Sequence, residues 1–326
     1  MKLPLRFACL LLSGLGIAHA DDLRVGIVGL DTSHVVAFTK LLNDASSPKH
    51  IPGAKVIEAV KTFSPDITES ATRVENFAEQ IQKEQGVKLV GSIEELCRDV
   101  DAVLIESVDG RPHLEQARAV IAAKKRLFID KPVAGSLHDV LEIYRLAKEA
   151  GVPVFTSSAY RFYDTIVDLK KADIGEVRSA ISYGPAHLES HHPDLYWYAI
   201  HATEGLYTVM GTGCESVTRT HTNDTDVVVG TWSGGRVGIL QGIRTKPEPQ
   251  KITVFGAKGY IEQKTAPNDY APLVREIVKF FQTGVSPVPV EETLELYTFM
   301  EAADESKRRG GAPVKLSEVL EKARHP

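Results

Sequence analysis

The chain has 326 residues, of which 43% are hydrophobic and 25% charged, which is enough apolar content for about two buried cores. Its formal net charge is −5. This charge argues against a nucleic-acid partner, since binding to phosphates requires a basic surface.

The N-terminal segment has the pattern of a secretory signal peptide. Lys2 and Arg6 form a positive region, residues 7–17 form an apolar run, and Ala18-His19-Ala20 resembles a cleavage site. The run is too short to span a membrane, and no later segment has the length or apolarity to do so. We therefore expect residues 1–20 to be a signal peptide and the protein to be exported, to the periplasm or the extracellular space. An uncleaved N-terminal anchor is the alternative.

Strands alternate with helices over residues 21–157, which predicts a parallel sheet with helices on both faces. The predicted strands are short apolar runs at residues 23–29, 54–60, 102–105, 126–129 and 152–156. The predicted helices lie between them at residues 33–43, 67–84, 93–98, 113–123 and 137–150. This part of the chain is therefore expected to be a doubly wound α/β domain.

Residues 158–326 have a different pattern, in which predicted strands follow one another directly. A strand is predicted at residues 176–184, and two hairpins follow at residues 227–243 and 252–263, each with a glycine-containing turn. The predicted helices comprise residues 163–172, 196–211, 272–282 and 291–309. We expect an α+β domain with an open, mostly antiparallel sheet.

Four segments, in this order, resemble the Gfo/Idh/MocA oxidoreductase family. They are LFIDKPVAGSLHDVLEIYRLAKEAGVPVFTSSAYRF, GEVRSAISYG, ITVFGAKGYIE and PVPVEETLELYTFMEAADESKRRGGAPVKL. The resemblance implies a Rossmann dinucleotide-binding domain at residues 21–157 and a substrate domain at residues 158–326. It also implies a carbohydrate substrate, oxidised at a carbinol carbon in the crevice between the domains. The open sheet of such a second domain often pairs with a copy of itself, so a homo-oligomer is expected.

The loop after the first strand holds the candidate cofactor-binding residues Gly29, Asp31, Thr32, Ser33 and His34. A dinucleotide fingerprint uses three glycines, for a tight turn, close approach of the pyrophosphate, and helix packing. Only Gly29 is retained here. The Asp31 carboxylate is expected to repel phosphate, although the helix N-terminus still offers N–H groups to an anion.

The choice between NAD and NADP depends on the end of the second strand. The acid that would bind the ribose there is replaced by Lys61-Thr62. A lysine could favour the 2′-phosphate of NADP, or it could be an ordinary surface residue. The expected cofactor is therefore NAD or NADP.

The main expectation is that no metal is bound, but the sequence also supports an alternative. In a doubly wound sheet, the loops after the first strand and after residues 102–105 lie side by side. Asp31, His34, Glu106 and Asp109 could therefore meet there, and carboxylates with a histidine can bind a divalent cation. The other possibility is a polar crevice whose side chains bond one another.

Three residues are the catalytic candidates that the family resemblance implies. Lys131, in Asp130-Lys131-Pro132, matches the family lysine that contacts the nicotinamide ribose and the substrate hydroxyl. His201 matches the family histidine and is the candidate general base. Glu204 lies on the same helical face and could orient the imidazole, while Trp197 replaces a further family acid.

Three further residues are candidates for contact with the substrate. Arg161 lies where the second domain begins, and it could bind a substrate oxygen or pair with an acid. His187 and His191 lie in a polar stretch with Glu189 and His192, which could contact the substrate, hold a metal, or lie on the surface.

Two functions compete on this evidence. The first is an NAD(P)-dependent oxidoreductase acting on a sugar. The second is an exported carbohydrate lyase or hydrolase without redox chemistry, possibly metal-dependent, on the same fold. A binding protein without catalysis is a third possibility, which the retention of Lys131 and His201 opposes. Cys97 and Cys214 could pair in an oxidising compartment or remain buried thiols.

Overall fold

The structure is a computed structural model, and it describes residues 22–265 and 267–325. The predicted signal peptide lies outside these residues. None of the helices in the described ranges has the length and apolar character needed to cross a bilayer.

The first part of the chain forms a parallel sheet of six strands in the order β3-β2-β1-β4-β5-β6. The strands are β1 (Leu23–Val28), β2 (Ala54–Val60), β3 (Lys88–Val90), β4 (Ala102–Ile105), β5 (Arg126–Ile129) and β6 (Val154–Thr156). The strand order reverses direction at β1 and β4. Ligands of doubly wound folds bind beyond the carboxyl ends of the strands at this point.

Five helices connect these strands. They are α1 (Ser33–Asn43), α2 (Thr68–Gln85), α3 (Ile93–Asp99), α4 (His113–Ala122) and α5 (Leu137–Ala150). Three of them, α1, α3 and α5, begin at a side-chain N-cap. Ser136 accepts a hydrogen bond from the Asp139 N–H at the start of α5, and Gly151 ends that helix with φ of 66°. Such a left-handed position favours glycine.

The second part contains a sheet of seven strands in the order β12-β11-β7-β10-β9-β8-β13. These strands are β7 (Val177–Pro185), β8 (Cys214–His221), β9 (Thr225–Trp232), β10 (Arg236–Ile243), β11 (Lys251–Gly256), β12 (Tyr260–Glu262) and β13 (Val314–Lys315). Only the β7–β10 pair is parallel. The predicted fold class, a Rossmann-type parallel sheet followed by an α+β domain with a mostly antiparallel sheet, is confirmed.

The helices of the second part pack on one face of this sheet and on the first part. They are α6 (Asp164–Lys171), α7 (Ile200–Met210), α8 (Ala271–Thr283), α9 (Val290–Arg308) and α10 (Leu316–Arg324). α7 packs on β7 and β10, and α9 packs on β8. α8 contributes Leu273 and Ile277 to the apolar core that also contains Val25 of β1. The two parts thus share a core, and a boundary at residue 157 stays a prediction.

The structure contains four elements that the sequence analysis did not predict, β3, β8, β13 and α10. Two further features change or decide a prediction. The helix expected at residues 196–211 begins only at Ile200, because residues 193–199 form turns. Cys97 and Cys214 are both buried free thiols, so of the two alternatives for them the structure shows the unpaired one.

Candidate active site

A cleft of about 600 Å³ lies between the two parts of the chain. Thr32, Ser33 and His34 at the start of α1 line one side, next to Asp130 and Lys131 after β5. The second part contributes several polar and aromatic side chains to the opposite side: Ser158, Tyr160, Tyr163, Tyr198, His201, Glu248, Gln250 and Gln263. The volume is within the range of small-molecule and cofactor sites.

The start of α1 opens into this cleft, while Asp31 points away from it. The Asp31 carboxylate is completely buried, and it accepts hydrogen bonds from the Ser70 hydroxyl at 2.6 Å and the Val108 N–H at 3.0 Å. Burial raises the pKa of Asp31. The expectation that this carboxylate confronts the pyrophosphate is therefore corrected, because its oxygens bond α2 and the loop after β4. Thr32 caps α1 by accepting from the His34 N–H.

Gly29 is required by the backbone at the end of β1. Its φ is 87°, and a Cβ placed there would lie 2.5 Å from the Ser107 backbone nitrogen. The first glycine of the fingerprint therefore keeps its role in the tight turn. Gly29 itself supports the loop from behind and is not part of the cleft wall.

Three ionisable side chains meet where β1, β4 and β5 end: His34, Glu106 and Asp130. One potential ligand atom from each lies within 4.8 Å of the other two. Glu106 and Asp130 are the first residues after β4 and β5, whose last residues, Ile105 and Ile129, are paired in the sheet. This pairing places the two carboxyl groups side by side.

Of the four residues in the alternative metal set, the structure brings only His34 and Glu106 together. Asp31 is bonded as described above, and Asp109 bonds the Ser64 hydroxyl at 2.5 Å and Arg111. His34 and Glu106 do approach each other, but their third partner is Asp130. We refer to His34, Glu106 and Asp130 as the strand-end cluster.

The two carboxyl groups of the cluster differ in their partners. Asp130 accepts from the Lys131 N–H, and its other oxygen lies 2.5 Å from His34 Nδ1. Burial opposes ionisation of Asp130, but His34 and Lys131 together outweigh it and hold the pKa of Asp130 below its usual range. Glu106 is completely buried, and neither of its oxygens has a hydrogen-bond partner among the described residues. Burial, and then the adjacent Asp130, raise the pKa of Glu106 well above its usual value.

Lys131 extends from the end of β5 toward the second part of the chain. Its ammonium lies 5.8 Å from the centroid of the Tyr198 ring, within the range of a cation–π contact. Lys131 and His201 both line the cleft, so the structure brings together two of the three predicted catalytic residues.

His201 is positioned by a chain of buried polar groups. Its Nδ1 lies 2.7 Å from the Ser158 hydroxyl. Burial, followed by the neighbouring Lys131 and His34, lowers the pKa of His201 well below its usual value. The imidazole is therefore neutral at neutral pH, as a general base requires.

Glu204 does not contact His201, contrary to the prediction. One of its oxygens accepts from the Ser158 N–H at 3.2 Å, and the other accepts from Arg161 Nε at 2.5 Å. Arg161 also donates to Glu292 at 2.5 Å, and it is buried behind the cleft. The sequence left open whether Arg161 binds substrate or pairs with an acid, and the structure shows the second. Glu204 thus supports the backbone of Ser158, and only through it His201.

The histidines at residues 187–192 separate instead of forming one site. His187 is exposed, lies 3.4 Å from Glu248 and makes a T-shaped ring contact with Tyr198. His191 lies 3.5 Å from Asp66, which follows β2. His192 lies 3.1 Å from Asp109.

These last two contacts join the second part of the chain to the first. Neither His187 nor His191 lines the cleft, and the metal interpretation of this stretch is not supported.

Lys61, at the end of β2, lies 2.8 Å from Glu75 on α2, as an ordinary surface lysine would.

The cleft fits a nicotinamide dinucleotide at the positions that the structure describes. The start of α1 faces the cleft. Asp31, which was expected to repel the pyrophosphate, is turned away from it. Thr32 and Ser33 would lie against the pyrophosphate, and Lys131 would lie at the nicotinamide end. His34 occupies the third glycine position; its ring stacks on Phe38 at 5.1 Å between centroids and meets Tyr270 in a T-shaped contact at 4.7 Å.

Sequence reasoning missed several residues of the cleft. Asp130 was not among the predicted site residues. Tyr270 lies just before α8, far along the chain from His34, and no local pattern linked the two. Ser158 follows β6 directly, and its position at the carboxyl end of a strand was the one available signal.

Comparison with known proteins finds a family match for the first part of the chain. Residues 23–158 match the model of an oxidoreductase family with an NAD-binding Rossmann fold, GFO_IDH_MocA. Over these residues the chain is similar to the Gfo/Idh/MocA family. The matched residues include the strand-end cluster, Lys131 and Ser158, so the departures in the cofactor loop occur within the matched part of the chain.

Two relatives and one solved structure illustrate the similarity. A 1,5-anhydro-D-fructose reductase from Ensifer adhaerens is 34% identical, but over 32% of this chain and only 32% of that protein's length. A myo-inositol 2-dehydrogenase from Thermotoga maritima is 28% identical over 73% of this chain and 74% of that protein. A scyllo-inositol dehydrogenase from Lactobacillus casei, solved with NAD(H) and scyllo-inositol, superposes with a TM-score of 0.73 at 16% identity. That comparison covers 91% of this chain and 99% of the other, and it shows a shared fold.

Proposed function

We propose that this protein is an NAD(P)-dependent oxidoreductase that acts on a carbinol carbon of a sugar or sugar derivative. The observation that carries the proposal is the composition of the cleft. One wall is the start of α1, and the residues near its centre are Lys131 and His201. The family and the inositol and sugar enzymes among its relatives support the same conclusion.

His201 acts as the general base in this proposal. When its Nδ1 hydrogen is donated to the Ser158 hydroxyl, Nε2 keeps a lone pair that can take the proton of the substrate hydroxyl. A bound dinucleotide would supply the hydride acceptor for the carbinol carbon. That carbon would become a carbonyl, with the hydroxyl proton held on the imidazole.

In this proposal Lys131 binds the oxygen of the same substrate hydroxyl from the side opposite His201. Its ammonium is close enough to lower the pKa of His201, and it can donate a hydrogen bond to the substrate oxygen. That bond stabilises the negative charge that develops on the oxygen as its proton leaves. Lys131 therefore orients the hydroxyl toward His201 and supports its deprotonation.

The first experiment is to measure dinucleotide binding by the purified full chain. Denatured protein is assayed for released NAD(H) and NADP(H), and folded protein is titrated with each reduced form by fluorescence. We expect about one dinucleotide per chain, with NAD preferred because Lys61 is engaged by Glu75. If neither cofactor is released and neither binds at millimolar concentration, the redox proposal is wrong.

A smaller effect is expected from Ser158→Ala. Loss of the hydrogen bond to His201 should reduce kcat by about 2- to 10-fold, with KM nearly unchanged, since a neutral hydrogen bond is worth about 0.5–1.5 kcal/mol. Steady-state kinetics with a polyol substrate measures this. Ser158→Thr keeps a hydroxyl and should restore most of kcat. Equal impairment of the two variants would argue against the positioning role.

A second candidate function is a carbohydrate lyase or hydrolase without redox chemistry in the same cleft. The observation that favours it is Glu106, a buried carboxyl group close to the start of α1, where a pyrophosphate would lie. The binding experiment above separates the two functions. Turnover of a glycoside without any bound or added dinucleotide would establish this second function.

We also infer that the protein is exported and that it forms a homo-oligomer. Residues 1–20 support export by their pattern alone. The face of the second sheet opposite α7 supports pairing, because Ile181, Val229 and Ile239 lie in register on it and are only half-buried. Light scattering of the full chain would test the oligomeric state.

A further inference from the structure

We propose that the strand-end cluster of His34, Glu106 and Asp130 is a binding site for one divalent transition-metal cation, Zn²⁺ or Mn²⁺. The site would lie at the inner end of the cleft, beside Lys131. This inference goes beyond the oxidoreductase function and does not require it, because the cation would be held by protein side chains alone.

The first argument is the state of Glu106. Its side chain is completely buried, and both of its oxygens lack a partner among the described residues. A buried carboxyl group without a partner is costly and uncommon in folded proteins. Lys131 is near enough to attract this carboxyl group, but it donates no hydrogen bond to either Glu106 oxygen. A cation between Glu106 and its neighbours would supply the missing partner.

The second argument is the geometry of the three side chains. Their nearest ligand atoms lie within 4.8 Å of one another. Two ligands of one cation, each bound at about 2.0–2.2 Å, lie about 3.0–3.6 Å apart in tetrahedral or adjacent octahedral positions. Side-chain movements of about 1–2 Å would therefore close the set around one cation. The paired strand ends Ile105 and Ile129 fix the two carboxyl groups in position.

The third argument is the chemistry of the ligand set and its access. One imidazole and two carboxylates suit zinc or manganese better than magnesium or calcium, which prefer oxygen ligands alone. His34 and Asp130 line the cleft, so the remaining coordination positions would face the substrate space. Three protein ligands with an open position are typical of metals that polarise a substrate oxygen.

Asp31 provides a matched control for this site. It is also a fully buried carboxyl group at the same edge of the sheet, but both of its oxygens are bonded, to Ser70 and to Val108. Asp31→Asn and Glu106→Gln each remove one carboxylate without changing side-chain size. Only Glu106→Gln should weaken binding of the cation.

The test is a titration of the full chain, stripped with a chelator, with MnCl2 or ZnCl2. Free Mn²⁺ is counted by electron paramagnetic resonance, and Zn²⁺ binding is followed by calorimetry. We expect one cation per chain for the wild type and for Asp31→Asn. We expect at least about 10-fold weaker binding for Glu106→Gln and His34→Asn.

Thermal unfolding provides a second readout that does not depend on activity. Added Zn²⁺ should raise the Tm of the wild type but not that of Glu106→Gln. Without metal, Glu106→Gln should be at least as stable as the wild type, because an unpartnered carboxyl group has been removed. This comparison separates loss of the site from loss of the fold.

Two outcomes would overturn the proposal. One is a wild-type chain that takes up neither cation at millimolar concentration. The other is binding that Glu106→Gln and Asp31→Asn retain or lose equally. A parallel titration with NADH keeps the two proposals distinct, since the cation site and the dinucleotide site can each fail alone.

Discussion

Replacing His201 by Asn is expected to lower kcat/KM for carbinol oxidation by about 10²–10⁴-fold, the usual contribution of a general base. Asn is similar in size to the imidazole ring and can still bond the Ser158 hydroxyl, which lies 2.7 Å from Nδ1 in the wild type. The fold should therefore be kept, and the proton acceptor lost. Steady-state kinetics with a polyol and NAD measures the effect.

The pH dependence of this reaction tests the same residue. The pKa of His201 lies well below its ordinary value of 6.5, because of burial and of the neighbouring Lys131 and His34. The neutral, basic form is present above the pKa, so kcat/KM should stay constant down to pH 6.5 and fall only in more acidic solution. In the Asn variant this acid limb should disappear.

His138→Asn is the control for the His201 variant. His138 lies on α5, outside the cleft, and its Nδ1 bonds the Ala323 carbonyl oxygen. Its replacement should change kcat/KM by less than about twofold, as for most surface substitutions. If His201→Asn keeps full activity, or if the wild-type acid limb lies above pH 6.5, another group is the base.

Much of the fold could be predicted because it depends on local pattern. The bounds of α1, β2, β4, β5 and α5 follow from apolar runs and from capping residues next to them, such as Ser136 and Gly151. Short elements with weak patterns, such as β3 and β13, were missed, because their pairing is determined by distant strands.

The candidate site was less predictable, because side-chain direction depends on residues far away in sequence. Asp31 was expected to face the cofactor, but Ser70 and Val108 bind it and turn it away. Glu204 lies one helical turn from His201, which suggested direct contact, yet Arg161 and Ser158 take its oxygens. Family resemblance located Lys131 and His201, whereas the partners of each side chain could be found only in the folded structure.

The second large effect is expected from Arg219→Met, which should reduce the free energy of unfolding by about 3–5 kcal/mol. Arg219 is almost completely buried under α9 and donates to Asp226 and Asp194 at 2.8 Å each, and to Asp304. Met has a similar length but no charge, so buried carboxylates lose their partner. Urea denaturation at pH 8 measures the loss. Arg178→Met, on the exposed side of β7, should change stability by less than about 0.5 kcal/mol.

The three acids do not depend equally on Arg219. Asp226 also bonds His221 at 2.7 Å, and Asp194 bonds Lys307 at 2.6 Å. Asp304 has no second positively charged hydrogen-bond donor among the described residues. Burial already raises its pKa to about 7, despite the attraction of Arg219. Asp304 should therefore account for most of the loss.

This assignment predicts the sign of a pH effect on Arg219→Met. Without Arg219, the pKa of Asp304 in the folded state rises further above its unfolded value of about 3.9. The folded state then binds more protons than the unfolded state between these two pKa values, so stability falls as the pH rises through that range. Relative to the wild type, the variant should lose less free energy of unfolding at pH 5, where Asp304 is protonated in the folded state, than at pH 8. An equal or larger loss at pH 5 would mean that Asp194 or Asp226, whose pKa values lie below their usual range, carries the effect instead.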